Sequence, residues 1–194
     1  MTKSIDFYFD FISPYSYIAH KRIKIIKEKN NVAFNYKPIL LGGLHNLQGI
    51  TAPAFNKSRL KYMIKDCELI AQKNNFDFIW NSKFPLNTLY VMRGYLHIKD
   101  DIKDLYTDKI FDAYWKNNQD VSNNSVIFDI IKNCNIDKDN FFNGIAKQEI
   151  KDKLKKLTQD AHDKEIFGAP TFVLKNKIFW GQDRLDFALE EYYK

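Results

Sequence analysis

Residues 4–11, SIDFYFDF, place Ile5, Phe7, Phe9 and Phe11 at every second position, the two-residue period of a strand. Ser13–Pro14 follows at once, and a helical stretch over about 15–29 comes next. Serine suits a helix N-cap, and proline is tolerated at the first helical position, where its missing N–H would lack a partner anyway. Residues 32–39, VAFNYKPI, alternate again. Strand, helix, strand is the opening of an α/β domain.

The middle of the chain changes character. From roughly 55 to 165 it is lysine-rich and carries a single proline, Pro85. Helical periodicity predicts helices near 57–75, 86–99, 101–117, 122–133, 137–144 and 147–164. The last has Ile150, Leu154, Leu157 and Ala161 on one stripe. β character then returns in Thr171–Leu174 and Lys177–Trp180, joined by a Lys175–Asn176 turn, and a final helix is expected over about 182–193. An α/β domain split by a helical insertion accounts for this order. The ranges expected are 1–50 with 165–194 for the α/β part and 51–164 for the insertion.

Composition narrows the function classes. The two cysteines, Cys67 and Cys134, are far apart, and the four histidines lack ligand-like spacing, so neither a disulfide framework nor a metal site is expected. The net charge of +6 comes from lysines interleaved with Asp and Glu, as in Lys151–Asp152–Lys153, which reads as solvated helix faces rather than a nucleic-acid surface. No apolar run reaches the ~20 residues of a membrane span. The first apolar stretch is broken by Asp6 and Asp10, unlike a signal peptide. A cytoplasmic protein without membrane or nucleic-acid partners is the expectation.

Three segments carry chemistry. At Phe9–Tyr17 a strand meets a helix whose free N–H groups and positive end favour an anion such as a thiolate, to which the Ser13 hydroxyl can add a hydrogen bond. Taken alone, Ser13 is a helix cap. Phe167–Phe172 (FGAPTF) opens a strand with proline, a tight junction that a cis bond would suit, leaving the Ala169 backbone open to an extended peptide. Phe179–Arg184 (FWGQDR) turns at Gly181 into the last helix, with Gln182 and Asp183 placed to cap it or to hold an ammonium group.

Together FDFISPYSYIA, LLGGL, GITAPAFNKSRLKYMIKD, IFGAPTF and FWGQDRLDF resemble the family of kappa-class glutathione transferases and 2-hydroxychromene-2-carboxylate isomerases, relatives of the DsbA thiol oxidoreductases. The resemblance spans essentially the whole chain. It implies a thioredoxin-like fold with a large all-helical insertion, a homodimer, and glutathione as the thiol bearer. Ser13–Pro14–Tyr15–Ser16 then stands where oxidoreductases carry Cys-x-x-Cys, so disulfide exchange at this position is ruled out.

The same resemblance implies roles for individual residues. Ser13, with Pro14 and Tyr15 beside it, would hold the glutathione sulfur; Ala169 and Pro170 would meet its cysteinyl backbone; Gln182 and Asp183 would hold its γ-glutamyl end. Ile50, Pro53, Arg59 and Tyr62 would face the second substrate, a small electrophile, with Arg59 binding either an acidic substrate or the glycyl carboxylate of glutathione. Arg59 replaces a lysine of the family pattern, and Ile50 replaces an asparagine, so a hydrogen bond is lost there. Phe55, Tyr62 and Trp115 are candidates for an apolar pocket wall, with core packing the expected place for most of them. The reaction implied is a glutathione-dependent isomerisation, with a kappa-like transferase or peroxidase, or a non-catalytic glutathione- or peptide-binding protein, as alternatives.

Overall fold

The computed structural model describes residues 3–30 and 32–194, so residues 1, 2 and 31 of the expected 1–50 range lie outside it. Four strands form one mixed sheet in the order β2–β1–β3–β4: β1 is Ile5–Phe9, β2 Phe34–Pro38, β3 Thr171–Leu174 and β4 Lys177–Trp180. β1 runs parallel to β2 and antiparallel to β3, and the β3–β4 pair is antiparallel. The expected opening is present, β1 followed by helix α1 (Pro14–Lys29) and β2.

Register explains why the phenylalanines sit where they do. Phe7 lies opposite Tyr36 on one side and Phe172 on the other. Its ring meets theirs at centroid distances of 4.9 and 5.4 Å, within the range of favourable aromatic pairs. β1 is covered on both faces. Ile5, Phe7 and Phe9 enter the main core, while Tyr8 joins a second cluster with Ile39, Leu44, Ala161 and Ile166.

Between β2 and β3 come α2 (Leu41–Leu47), α3 (Lys57–Lys73), α4 (Leu89–His97), α5 (Lys103–Trp115), α6 (Asn124–Lys132), α7 (Lys138–Ala146) and α8 (Gln148–Asp163). Six of these match the expected helices with shifted ends. The exception is α2, whose Leu-Gly-Gly-Leu start argues against a helix on propensity. Tertiary partners override that: the Leu40 N–H donates to Thr158 Oγ1 at 3.0 Å and the Leu41 N–H to Asp10 Oδ2 at 2.8 Å. The final helix also differs, since a 3₁₀ turn at Gln182–Arg184 precedes α9 (Leu185–Tyr193).

Trp115 follows the core alternative. It is fully buried, stacked on Tyr114 at 4.4 Å, and its indole N–H donates to the Phe11 carbonyl at 2.8 Å. It is core, not pocket wall.

Another buried group ties α1 to its neighbours. His20 is 3% exposed; its Nε2 lies 2.7 Å from Asp108 on α5 and its Nδ1 2.7 Å from the Tyr36 hydroxyl on β2. Burial lowers the imidazole pKa against the pull of Asp108, with Lys21 and Lys24 adding to the lowering. Although burial works against its charge, hydrogen bonds from His20 and Lys24 bring Asp108 down to about 2, so it stays ionised near neutrality. The neutral ring fits this setting, Nε2–H donating to Asp108 and Nδ1 accepting from Tyr36.

The pH consequence has a definite sign. In the unfolded chain the imidazole takes up a proton below about pH 6.5, while the folded ring resists it, so stability held above that pH declines as pH falls. Urea midpoints at pH 7.5 and 5.5 should differ in the wild type, by up to about 1.4 kcal/mol per pH unit from this group. His20→Gln, which can serve both partners, should shrink the difference; an unchanged slope would refute the assignment.

Candidate functional site

The three chemistry-bearing segments converge. Ser13 is the N-cap of α1, its Oγ accepting the Ser16 N–H at 3.1 Å while its hydroxyl donates to the Ala169 carbonyl at 2.9 Å. Pro14 occupies the first helical position, as expected. The first turn of α1 contains no acidic residue, so nothing in that turn competes with an anion for the helix end.

The partner loop is built around a cis Ala169–Pro170 bond. Thr171 Oγ1 donates to the Gly168 carbonyl at 2.7 Å, and the Gly181 N–H donates to the Pro170 carbonyl at 2.9 Å. Two glycines are required by this packing. A Cβ on Gly168 would stand 2.6 Å from the Trp180 indole nitrogen, and Gly181 has φ +107°, which side chains rarely adopt.

A cleft of about 510 Å³ opens beside this junction. Tyr15, Ala169, Pro170, Gln182, Asp183 and Tyr62 line it, all named from the sequence. Ser13 is 3% exposed and lies behind Ala169. Pro53, Phe55 and Arg59 are exposed near the start of α3, and Ile50 is 47% exposed before it; none lines the cleft. Arg59 does share a helix face with Tyr62 and Asp66, being three and seven residues away.

Several site residues come only from the structure. Asp66 lines the cleft and accepts the Tyr15 hydroxyl at 2.8 Å and, more weakly, that of Tyr62 at 3.5 Å. Burial, with Cys67 and Asp66 alongside, raises the Tyr15 pKa, so it remains a proton donor. Arg22 donates to the Gln182 carbonyl at 2.6 Å and to Asp186 at 2.7 Å, pinning the 3₁₀ turn to α1. Arg22 also lies 3.5 Å from Gln182 Oε1, which leaves Asp183 as the more open side chain of that pair. Trp180 and Arg184 complete the rim. Nothing local in the sequence distinguishes Asp66 and Arg22 from other helix-face charges; only their long-range partners set them apart.

Neither cysteine offers redox chemistry. Both are buried and free, and burial pushes both thiols up, with the Asp66 carboxylate adding to the rise at Cys67. Among the described residues no group of three or more His, Cys, Asp or Glu is placed to hold a metal, and no helix is long and apolar enough to cross a membrane.

The model of the DSBA-like thioredoxin domain matches residues 4–193. The chain belongs to this family. A 2-hydroxychromene-2-carboxylate isomerase of Sphingobium xenophagum is 27% identical over 99% of this chain and 98% of that protein. The rat glutathione S-transferase kappa 1 is 20% identical over 94% of this chain and 87% of its own. Among solved structures, a 2-hydroxychromene-2-carboxylate isomerase superposes with a TM-score of 0.89 at 24% identity, covering 97% of this chain and 93% of that one. This member of the DsbA-like family thus carries serine at the helix start, and the relatives that share its length are enzymes.

Proposed function

We propose that this protein is a glutathione-dependent isomerase of the 2-hydroxychromene-2-carboxylate type, acting on a small unsaturated, electrophilic acid. The observation that carries the reading is the Ser13 hydroxyl, set at the N-terminus of α1 and bonded to the Ala169 carbonyl of the cis-proline loop. The likeness in length and sequence to the Sphingobium isomerase supports the reaction class. The rat kappa transferase, by its name, supports glutathione as the thiol.

The residues present suit that tripeptide. The cleft volume lies within the ~300–1,000 Å³ of small-molecule sites. Rotation of the Ser13 hydroxyl away from Ala169 exchanges one hydrogen bond for another. The O–H turns to a sulfur anion, and the Ala169 carbonyl becomes free for a peptide N–H. The positive end of the α1 dipole adds potential at the same point. Asp183 is placed for an ammonium group, with Arg184 beside it for a carboxylate. Arg59 and Tyr62 on α3 would meet the acidic second substrate, and Trp180, 53% exposed, gives the cleft an apolar wall.

Glutathione held by Ser13, Ala169 and Asp183 would supply a nucleophilic thiolate for reversible addition to an unsaturated carbon, the chemistry that an isomerisation needs. Tyr15, kept protonated by its burial, donates its hydroxyl to Asp66 and so fixes both side chains at the cleft wall, where they can orient a bound substrate by hydrogen bonds. Release of the adduct instead would make the same site a transferase. In this reading residues 1–50 with 165–194 form the thioredoxin-like part, and 51–164 the helical insertion of a cytoplasmic homodimer.

The test is calorimetric titration of the protein with glutathione, with thiolate absorbance followed against pH. Binding at or below millimolar concentration, with a bound thiol more acidic than the ~8.5 of a free thiol, is expected. No heat and no thiolate signal at millimolar glutathione would remove glutathione from the account.

A further inference from the structure

Asp10 stands three residues before Ser13 and is 1% exposed. Donors from three parts of the chain hold its carboxylate. Oδ1 accepts the Thr88 hydroxyl at 2.7 Å and the Ile12 N–H at 3.1 Å, and Oδ2 accepts the Leu41 N–H at 2.8 Å. Burial raises the carboxyl overall, although these donors pull it back down. The Ile12 and Leu41 N–H groups can only donate, one to each carboxyl oxygen, so both oxygens are engaged as acceptors and the side chain is held in a single orientation.

The same residue governs the turn that presents Ser13. The Asp10 carbonyl accepts the Ser13 N–H at 3.1 Å, closing residues 10–13 into one loop. Within it the Phe11 carbonyl is held by Trp115, the Ile12 N–H by the Asp10 side chain, and the Ser13 N–H by the Asp10 main chain. Through Leu41 and Thr88 the carboxylate then joins that loop to the starts of α2 and α4. Burying a carboxylate costs several kcal/mol even when it is well bonded. Local capping does not require that cost, since exposed caps such as Asn56 on α3 and Asp137 on α7 do the same work.

We propose that Asp10 is a positioning residue for the Ser13 hydroxyl, fixing the 10–13 turn against α2 and Thr88 so that Ser13 Oγ keeps its aim. The inference rests on the glutathione reading of the site, because the aim that matters is toward a bound sulfur. A donor fixed in place stabilises charge far better than one that must reorganise, and small displacements cost much of the effect.

Asp10→Asn is the discriminating variant. Its Oδ1 can keep Ile12 and Thr88, but its amide N–H₂ faces the Leu41 N–H, donor against donor, and the tether to α2 breaks. The measurement is the pH titration of thiolate absorbance for glutathione bound to the protein, with the dissociation constant from calorimetry. Positioning predicts a bound-thiol pKa raised by about 0.5–1 unit, three- to tenfold less thiolate at low occupancy, with Kd changed far less. If Asp10 acted through its charge, removing that charge would lower the thiol pKa, and a fall refutes the proposal. An unchanged pKa in a less stable protein also refutes it, leaving Asp10 a fold residue. Should Asp10→Asn not fold, Thr88→Val takes its place; a smaller rise supports positioning and no change overturns it. Failure of the glutathione reading looks different, since the wild type itself would then show no bound thiolate.

Discussion

Replacing Ser13 by alanine is expected to lower glutathione-dependent turnover by about 10²–10³-fold, the usual cost of removing one preorganised donor from a developing or resident anion. Ser13 also caps α1 by accepting the Ser16 N–H, so a loss of stability accompanies the change. The two effects differ in size. A lost N-cap costs about 1 kcal/mol and moves the melting temperature of a chain this long by about 2–4 °C. That shift leaves the protein folded at assay temperature and cannot account for two decades of rate. Ser13→Thr keeps the hydroxyl and should recover most of the turnover. The assay follows conversion of an electrophilic unsaturated acid at saturating glutathione, with bound thiolate recorded alongside. Turnover within threefold of wild type for Ser13→Ala would reduce Ser13 to a cap.

Much of this arrangement could be read from short-range patterns. The alternation around Phe7, the cap at Ser13 and the proline after Gly168–Ala169 are local signals; the first runs through β1, and the other two sit at element boundaries. Gly181 is local too, since a positive φ is a property of one residue. What escaped depends on residues distant in sequence. Helix α2 opens on two glycines and forms because Thr158, 118 residues from Leu40, and Asp10 take its first donors. Asp66 is one acid among the charges of α3 until the Tyr15 hydroxyl, 51 residues away, identifies the side that faces the cleft. Arg22 gains its meaning only through Gln182 and Asp186 at the far end of the chain. Ile50 shows the converse. Family likeness drew attention to it, yet it is 47% exposed and does not line the cleft.

Trp115→Ala is expected to be the most destabilising single change in the helical part, by about 3–5 kcal/mol for the lost packing. The indole is fully buried, with Tyr114, Phe78 and Trp80 at 4.4, 5.9 and 5.4 Å between ring centroids. Its N–H also serves the Phe11 carbonyl, and an unpaired buried carbonyl costs a further ~1–3 kcal/mol. Against a typical total of about 5–15 kcal/mol, the variant would be close to unfolding. Trp115→Phe separates the two contributions, because it keeps an aromatic ring and removes the N–H. Urea unfolding should place it between the wild type and Trp115→Ala. A loss below about 1 kcal/mol for the alanine variant would return Trp115 to the pocket wall. The phenylalanine variant carries a second consequence. Phe11 lies in the turn that presents Ser13, so freeing its carbonyl should reduce glutathione-dependent turnover in a protein that remains folded. Core packing and site geometry meet at that one hydrogen bond.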